Sequence, residues 1–183
     1  MNFDENPWIT HSSKEVYDNN WIKLTVHDVT NPGGGHSIYG KVHFKNIALG
    51  IIPLDDERNT WLVGQYRYTL NEYSWEIPMG GGPLTMDMLS SAKRELKEET
   101  GIEAKEWKQL LKIHTSNSVT DEVGYAYLAQ DLSFGETEFE ETEKLEIKKL
   151  PFREAVKMCD EGRITDSLSL AAIYKLDRIL SNK

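Results

Sequence analysis

The chain has 183 residues, of which 39% are apolar and 28% are charged, and its formal net charge at pH 7 is -9. This length and composition are typical of one well-packed globular protein and exclude an intrinsically disordered chain. The excess of acidic residues argues against binding to nucleic acid by counterion release, so we expect no nucleic-acid partner.

Cysteine usage and hydropathy bear on the cellular compartment. The single cysteine, Cys159, excludes an internal disulfide and a cysteine-based zinc site, which favours a reducing compartment. The first 13 residues lack the basic start and apolar core of a signal peptide, and the longest apolar run, residues 47–52, is far short of a membrane span. We therefore expect a cytoplasmic protein with no membrane partner.

The first half of the chain is predicted to be rich in β-structure. Apolar residues alternate or cluster in runs of strand length, bounded by turn residues. We predict strands at residues 21–29, 38–44, 47–54, 60–68 and 75–77. The segment 31–35, Asn-Pro-Gly-Gly-Gly, favours a hairpin turn over a phosphate-binding loop, because no helix follows it. The polar residues 55–59 predict a second hairpin turn.

Helical periodicity begins after the glycine stretch 80–82. Leu89, Ala92 and Leu96 recur at intervals of three and four residues, and Gly101 ends this helix. We predict further strands at residues 107–114, 123–129 and 145–150 and helices at residues 153–161 and 167–180. This order of elements favours an α+β fold or α/β/α layering over alternating βα units.

Three glutamates of the first helix share one side. Glu95, Glu98 and Glu99 lie within about one helical turn, at spacings of three and four residues. Like charges this close destabilise a helix by about a few tenths of a kcal/mol per pair, so the cluster is either a solvated face or a cation site. Carboxylate oxygens suit Mg²⁺ or Mn²⁺, and such an ion neutralises phosphate oxygens and activates water.

The same helix resembles the conserved box of the Nudix hydrolase family. Gly80 and the run Arg-Glu-Leu-Lys-Glu-Glu-Thr-Gly-Ile at residues 94–102 match eight specified positions of that motif. The resemblance implies that Glu95 and Glu99 are metal ligands, with Glu98 nearby. Glu98 is a candidate catalytic residue, as the base if the acidic segment 136–146 does not supply it. Met86 departs from the motif, which has a glutamate there that contacts the box arginine. Arg94 therefore needs another partner, for which Asp87 is a candidate.

The residues before the box resemble the ADP-ribose and nucleoside-diphosphate-sugar pyrophosphatases of that family. The resemblance rests on Gly-Gln-Tyr-Arg-Tyr at residues 64–68 and Trp-Glu-Ile-Pro-Met-Gly at residues 75–80. It implies that the carbonyl of Met79 binds the metal and that Arg67 contacts substrate phosphate or ribose. Alternatively, Arg67 is an ordinary surface arginine. Glu76 is either an acid that supports the substrate site or a charge at a strand end.

A segment after the box also bears on the resemblance to these pyrophosphatases. Asn117 stands where the ADP-ribose enzymes often have proline, so the resemblance extends to the wider group that acts on nucleoside diphosphate sugars. Ser118 in the same segment is a candidate for binding sugar hydroxyls, although such residues also form plain turns.

The acidic segment 136–146 is, by composition alone, a solvated loop. In the resembling enzymes the loop at this place carries the carboxylate that orients or deprotonates the attacking water. The resemblance implies that Glu141 is this base, with Glu140 as the candidate if the register differs by one residue, and that Glu143 is a further metal ligand. His114 is a weaker candidate for the base.

The resemblance also predicts the domain organisation. Residues 1–45 are expected to form an N-terminal antiparallel β extension that mediates dimerisation and stacks on the nucleobase, with Trp8 and Tyr17 as candidate stacking residues. Core packing explains each of these aromatic residues equally well. Residues 46–183 are expected to form a Nudix α/β/α sandwich with a mixed β-sheet.

Taken together, the residues and the resemblance predict a homodimeric, Mg²⁺-dependent hydrolase, with Mn²⁺ as the other suitable ion. The expected substrates are nucleoside diphosphate sugars of the ADP-ribose or GDP-mannose type, cleaved to a nucleoside monophosphate and a sugar phosphate. The alternatives are hydrolysis of another nucleotide, such as a dinucleoside polyphosphate, and a Nudix domain that binds nucleotides without cleaving them.

Overall fold

The computed structural model describes residues 5–83, 85–137 and 145–182. The chain divides into two compact units. The first comprises Met1–Asn46 and Ser116–Glu122, and the second comprises Ile47–Thr115 and Val123–Lys183. Within the described residues, no helix has both the length and the apolar character needed to cross a membrane.

The first unit is a three-stranded antiparallel sheet in the order β1-β2-β3. Its strands are β1 (Ile9–Asp18), β2 (Ile22–Thr30) and β3 (His36–Phe44). The turn between β2 and β3 confirms the hairpin prediction: Gly34 has a φ of 83°, and Asn31 Oδ1 accepts hydrogen bonds from the N–H groups of Gly33 and Gly35. Strand β1 was not predicted, because all of its residues are exposed and its sequence shows no alternation.

Residues 116–122 return to this sheet and extend it beyond β3. Val42 donates its N–H to the carbonyl of Val119 at 2.9 Å, and its own carbonyl accepts from Asp121 at 3.2 Å. The Asp121 carboxylate forms an ion pair with Lys41 and a hydrogen bond with His43 Nδ1 at 2.8 Å. Partial burial acts to raise the pKa of Asp121, but hydrogen bonds from Lys41, His43 and a backbone N–H outweigh it and lower the pKa to about 2.

The second unit contains two sheets. One is antiparallel, with the order β10-β5-β6, and the other is mixed, with the order β7-β4-β9-β8, in which β4 and β9 are parallel and β8 and β9 are antiparallel. The strands are β4 (Asn46–Pro53), β5 (Asn59–Arg67), β6 (Glu72–Glu76), β7 (Met79–Pro83), β8 (Ile102–His114), β9 (Val123–Phe134) and β10 (Glu146–Pro151).

Helices cover both sides of the mixed sheet. Helix α1 (Met88–Thr100) packs through Ala92 and Leu96 on a core with Leu49 and Ile51. On the other side, α2 (Phe152–Asp160) and α3 (Ser167–Ser181) share a second core that contains Ile52. Because β4 contributes to both cores, it reads as a continuous apolar run rather than an alternating one. These layers confirm the predicted α+β, α/β/α fold class.

The bounds of α1 follow from its capping residues. Asp87 is the N-cap, and its carboxylate accepts a hydrogen bond from the N–H of Ser90 at 2.8 Å. That backbone hydrogen bond lowers the pKa of Asp87. Gly101 ends the helix with a φ of 68°, as a left-handed C-cap. The predicted end of the helix at Gly101 is therefore confirmed.

Strand β7 is the main difference from the predicted elements of the second unit. It contains the three glycines 80–82, although glycine has low β-propensity, and it pairs with β4 as an edge strand of the mixed sheet. Strands β8 and β9 also extend beyond the predicted ranges 107–114 and 123–129. Helices α2 and α3 match their predicted ranges to within one residue at each end.

Candidate active site

The box helix and strand β7 place two glutamates against a short stretch of backbone. Glu99 is buried, with 1% of its surface exposed, and its Oε2 accepts a hydrogen bond from the N–H of Met79 at 2.8 Å. The Glu95 carboxylate lies directly against Gly80, where a Cβ atom would overlap it. Glycine is therefore required at this position for the carboxylate to lie where it does. The structure thus brings together Met79, Gly80, Glu95 and Glu99.

Arg94 offsets part of the negative charge on the acidic face of α1. Its guanidinium forms ion pairs with Glu95 and Glu98, and its Nη2 also donates to the carbonyl of Gly81 at 3.3 Å. Burial acts to lower the pKa of Arg94, but the charges of the two glutamates outweigh it and raise the pKa. Asp87, the partner expected from the sequence, instead caps the helix. The side chain of Met86 is half exposed.

A second ion pair lies on strands β5 and β6. The Arg67 Nε donates to Glu76 Oε1 at 2.9 Å, and its Nη2 pairs with the other carboxylate oxygen, so the contact is bidentate. Glu76 is 3% exposed, whereas about a third of the Arg67 side chain reaches solvent. Glu76 is thus a buried partner of Arg67 rather than a free charge at a strand end.

The Arg67 guanidinium also lies in the field of other carboxylates. The hydrogen bond to Glu76 is the main cause that raises the pKa of Arg67, with further contributions from the charges of Asp166 and Glu99. Glu99 belongs to the box helix, so this coupling links the Arg67–Glu76 pair to the acidic face of α1. Asp166 is the N-cap of α3. Asp166 was not among the predicted site residues, because its only sequence signal is its place before a helical run.

The oxygen atoms that α1 and β7 contribute are of the types that bind a hard divalent cation. Carboxylate oxygens of Glu95 and Glu99 and a backbone carbonyl of β7 are the ligand types that Mg²⁺ and Mn²⁺ prefer. No cluster of three or more His, Cys, Asp or Glu side chains is closed around a metal position within residues 5–83, 85–137 and 145–182. Arg94 contributes to the absence of such a cluster, since its ion pairs hold the carboxylates of Glu95 and Glu98.

The predicted residues of the acidic loop lie outside the described part of the chain. These residues are Glu140, Glu141 and Glu143. His114, the weaker candidate for the base, is an exposed residue at the end of β8.

The first unit contains three of the predicted substrate-binding residues. Trp8 packs edge-on against Tyr39, with ring centroids 5.2 Å apart. These two rings line an open groove of about 400 Å³ together with Asn6, Thr10, His27, Val29 and Lys41. Ser118 lies in the returning segment, where its carbonyl accepts from the Tyr39 hydroxyl at 2.5 Å. Tyr17 lies at the opposite end of β1, half exposed and hydrogen-bonded to Asn19.

Comparison with known protein families matches most of the chain in two segments. The model described as "NUDIX domain" matches residues 45–169. The model described as "Nucleoside diphosphate sugar hydrolase N-terminal domain" matches residues 8–42.

Individual relatives match over nearly the whole chain. A protein named methanol dehydrogenase activator from Bacillus methanolicus is 32% identical over 169 residues, which is 91% of each chain. A protein named ADP-ribose pyrophosphatase from Mycobacterium tuberculosis is 31% identical over 96% of this chain and 86% of its own. A crystal structure titled ADP compounds hydrolase superposes with a TM-score of 0.85 at 20% identity, covering 96% of this chain and 95% of the other, which shows a shared fold.

Proposed function

This chain belongs to the Nudix family, and we propose that it hydrolyses the diphosphate linkage of nucleoside diphosphate sugars of the ADP-ribose type. The products are a nucleoside monophosphate and a sugar phosphate. The M. tuberculosis relative, whose name states ADP-ribose as its substrate, supports this substrate class. The match of residues 8–42 to an N-terminal domain of nucleoside diphosphate sugar hydrolases supports it independently of the box.

The observation that carries this proposal is the convergence of two box glutamates on the backbone of β7. Glu99 accepts the N–H of Met79, and Glu95 lies against Gly80. We propose that Glu95, Glu99 and the carbonyl of Met79 hold a divalent cation, with Mg²⁺ as the expected ion and Mn²⁺ as a substitute. When bound, such an ion supplies positive charge for the phosphate oxygens and lowers the pKa of a bound water.

Arg67 provides the substrate with a fixed positive charge. Glu76 takes the N–H of Nε and one N–H of Nη2, so the N–H groups of Nη1 and the second N–H of Nη2 are the candidate donors to substrate phosphate oxygens. Because Glu76 is buried and the contact is bidentate, the guanidinium is held in place before substrate arrives. A positioned cation of this kind stabilises the charge that develops on the phosphoryl oxygens during displacement.

Glu98 and Arg94 complete the acidic face. Arg94 pairs with both Glu98 and Glu95, which reduces the repulsion among the three carboxylates on this side of the helix. We propose that Glu98 orients Arg94 and thereby sets the position of the Glu95 carboxylate. The departure at Met86 leaves Arg94 with these two partners on its own helix.

We further propose that the base lies in the acidic loop, at Glu141 or its neighbour Glu140, with Glu143 as an added ligand. A carboxylate on a separate loop keeps its lone pairs free and approaches the water from the side opposite the leaving group. The box carboxylates are less suited to accept this proton, since Arg94 already engages Glu95 and a bound cation would take further lone pairs.

The first unit is the proposed site for the nucleobase. Trp8 and Tyr39 present aromatic faces beside an open groove, and Ser118 lies next to Tyr39 for contacts with sugar hydroxyls. Tyr17 is a stacking candidate at the other end of β1. We propose that the protein acts as a homodimer, since β1 leaves large apolar side chains exposed at Ile9 and Val16. We also propose that it acts in the cytoplasm, since its single cysteine favours a reducing compartment.

A substrate panel tests this function. The purified chain is incubated with ADP-ribose, GDP-mannose, UDP-glucose and a dinucleoside polyphosphate, with Mg²⁺ or with a chelator, and the products are separated by anion-exchange chromatography. We expect AMP and ribose 5-phosphate from ADP-ribose in the presence of Mg²⁺ only. Cleavage of the dinucleoside polyphosphate alone would support the other nucleotide substrate, and binding of ADP-ribose without turnover would support a non-catalytic domain.

A further inference from the structure

The first turn of helix α3 touches the backbone that leads into strand β7. Ser169 Oγ accepts a hydrogen bond from the N–H of Ile77 at 3.1 Å. Both residues have 0% of their surface exposed, so water cannot replace this contact. The two residues are 92 positions apart in the chain, so only the tertiary structure brings them together.

Two glycines on neighbouring strands provide room for this turn. A Cβ atom on Gly50 would lie 3.1 Å from Leu168, and one on Gly124 would lie 3.4 Å from it. Gly50 belongs to β4 and Gly124 to β9, and these strands are paired in parallel. Leu168 therefore packs closely over both strands. Since it directly precedes Ser169, this packing determines where the Ser169 hydroxyl lies.

Asp166 holds the same turn from its outer end. Its Oδ1 accepts a hydrogen bond from the N–H of Ser169 at 2.7 Å, which makes it the N-cap of α3. Ser169 thus donates its N–H to Asp166 and accepts the N–H of Ile77 with its hydroxyl. A single residue joins the start of α3 to the backbone before β7.

The neighbours of Ile77 in the chain are parts of the proposed site. Glu76, one residue before, is the buried partner of Arg67. Met79, two residues after, donates its N–H to Glu99. Between them, the Pro78 carbonyl accepts from the N–H of Ile51 at 2.8 Å. A shift of the backbone at Ile77 would therefore move the carboxylate that holds Arg67 and the carbonyl of Met79 together.

We propose that Ser169 is a positioning residue of the hydrolytic site, because its hydroxyl holds the backbone of residues 76–79 in place. This inference rests on the proposed function, since it takes Glu76 and Met79 as parts of the site. Without the hydroxyl, the buried N–H of Ile77 has no acceptor from Ser169. The backbone then relieves this loss by moving, and the metal-binding carbonyl moves with it.

Ser169→Ala tests the inference, with Ser91→Ala as its matched control. Ser91 is also buried, and its Oγ has no hydrogen-bond partner among the described atoms. Ser91→Ala therefore removes a buried hydroxyl without removing a hydrogen bond. The Kd for Mn²⁺ alone is measured by electron paramagnetic resonance of the free ion, without substrate. The kcat and KM for ADP-ribose are measured at saturating Mg²⁺.

We expect Ser169→Ala to raise the Kd for Mn²⁺ by about ten- to a hundredfold, the usual effect of losing a residue that orients metal ligands. It should lower kcat with less effect on KM. Ser91→Ala should leave both values at those of the wild type. A Ser169→Ala protein with a lower Tm but unchanged Kd and kcat would overturn the inference, as would equal losses in the Ser91 variant.

A second variant covers the case in which Ser169→Ala does not fold. Asp166→Ala loosens the same turn but retains the Ser169 hydroxyl, and we expect a smaller rise in the Kd for Mn²⁺. Asp166→Asn keeps a hydrogen-bond acceptor at the cap, so its Kd should equal that of the wild type. An unchanged Kd in Asp166→Ala would then overturn the inference. If wild type binds Mn²⁺ but does not cleave ADP-ribose, the proposed function fails while the binding comparison still decides the role of Ser169.

Discussion

Gly80→Ala should lower the rate of hydrolysis while changing the free energy of unfolding only slightly. A Cβ atom at this position would overlap the carboxyl carbon and both oxygens of Glu95. The backbone of Gly80 does not have a positive φ, so alanine is compatible with the strand itself. The substitution therefore acts on the Glu95 carboxylate rather than on the backbone.

The size of the effect follows from this overlap. Ordinary van der Waals contacts begin at 3.4 Å, so the Glu95 carboxylate has to move away from the new methyl group. A displacement on the order of 1 Å in a positioned group costs about a hundredfold in rate. The carboxylate is the flexible end of its side chain, so we expect the free energy of unfolding to change by less than about 1 kcal/mol.

Gly82→Ala is the matched control in the same strand. Its Cβ atom would lie 2.9 Å from Leu49 and 3.1 Å from Ser91, in the core and not against a carboxylate. Overpacking of this kind costs about 1–3 kcal/mol, so this variant should lose stability and keep its rate once folded. ADP-ribose hydrolysis at saturating Mg²⁺ and urea denaturation measure the two quantities. Full activity in Gly80→Ala would refute the placement of Glu95 in the site.

Three further predictions concern charged groups. Glu76→Gln leaves Arg67 without its buried anion, so it should lower the free energy of unfolding by about 1–3 kcal/mol in urea denaturation and raise the KM for ADP-ribose. Wild-type values of both quantities would contradict the role of Glu76 in positioning Arg67. Met86→Glu should change stability by less than about 1 kcal/mol, because Met86 is half exposed and Arg94 already has two carboxylate partners; a large gain in kcat would instead show that the natural box is impaired. The pKa of Asp121 is lowered to about 2 from an ordinary 3.8, so its contribution is present above about pH 4 and is lost as the pH falls to about 2. With 31% of this side chain exposed, solvent screening reduces that contribution to about 1 kcal/mol. Asp121→Asn should therefore be less stable than wild type at pH 7, with the difference disappearing at low pH, and a constant difference in pH-dependent melting would argue against this origin.

Much of the fold was predictable from local patterns. Helix α1 carries its own signals, with apolar residues at helical spacing and a glycine at its end, and the structure ends it at Gly101. The shared side of the box glutamates was predictable for the same reason, because residues three and four apart on one helix lie on one side whatever the rest of the chain does. Strand β1 was missed because burial alternation is the signal for strands, and all its residues are exposed.

Contacts between distant segments were not predictable from the sequence. Local contacts, by contrast, were within reach of the sequence: Arg94 and Glu98 have the i,i+4 spacing that favours an ion pair on a helix, and Asp87 stands at an N-cap position, so the candidate pair of Arg94 with Asp87 was wrong. The contact of Ser169 with Ile77 depends on how α3 packs over the sheet, which no local pattern encodes. Glycine has low β-propensity, so residues 80–82 were not predicted to form a strand, and pairing with β4 makes them part of one.

The central claim is that the box helix is the hydrolytic centre, and Glu99→Gln tests it most directly. This variant keeps the size of the buried side chain and an oxygen that can accept the N–H of Met79, but it removes the charge. The control is Glu103→Gln, which removes one charge from an exposed residue just after α1. Product formation from ADP-ribose is measured at saturating Mg²⁺ alongside thermal melting. We expect kcat to fall by at least about a hundredfold in Glu99→Gln, because the variant loses a charged ligand, and to stay at the wild-type value in the control. Turnover of Glu99→Gln at the wild-type rate would contradict the claim.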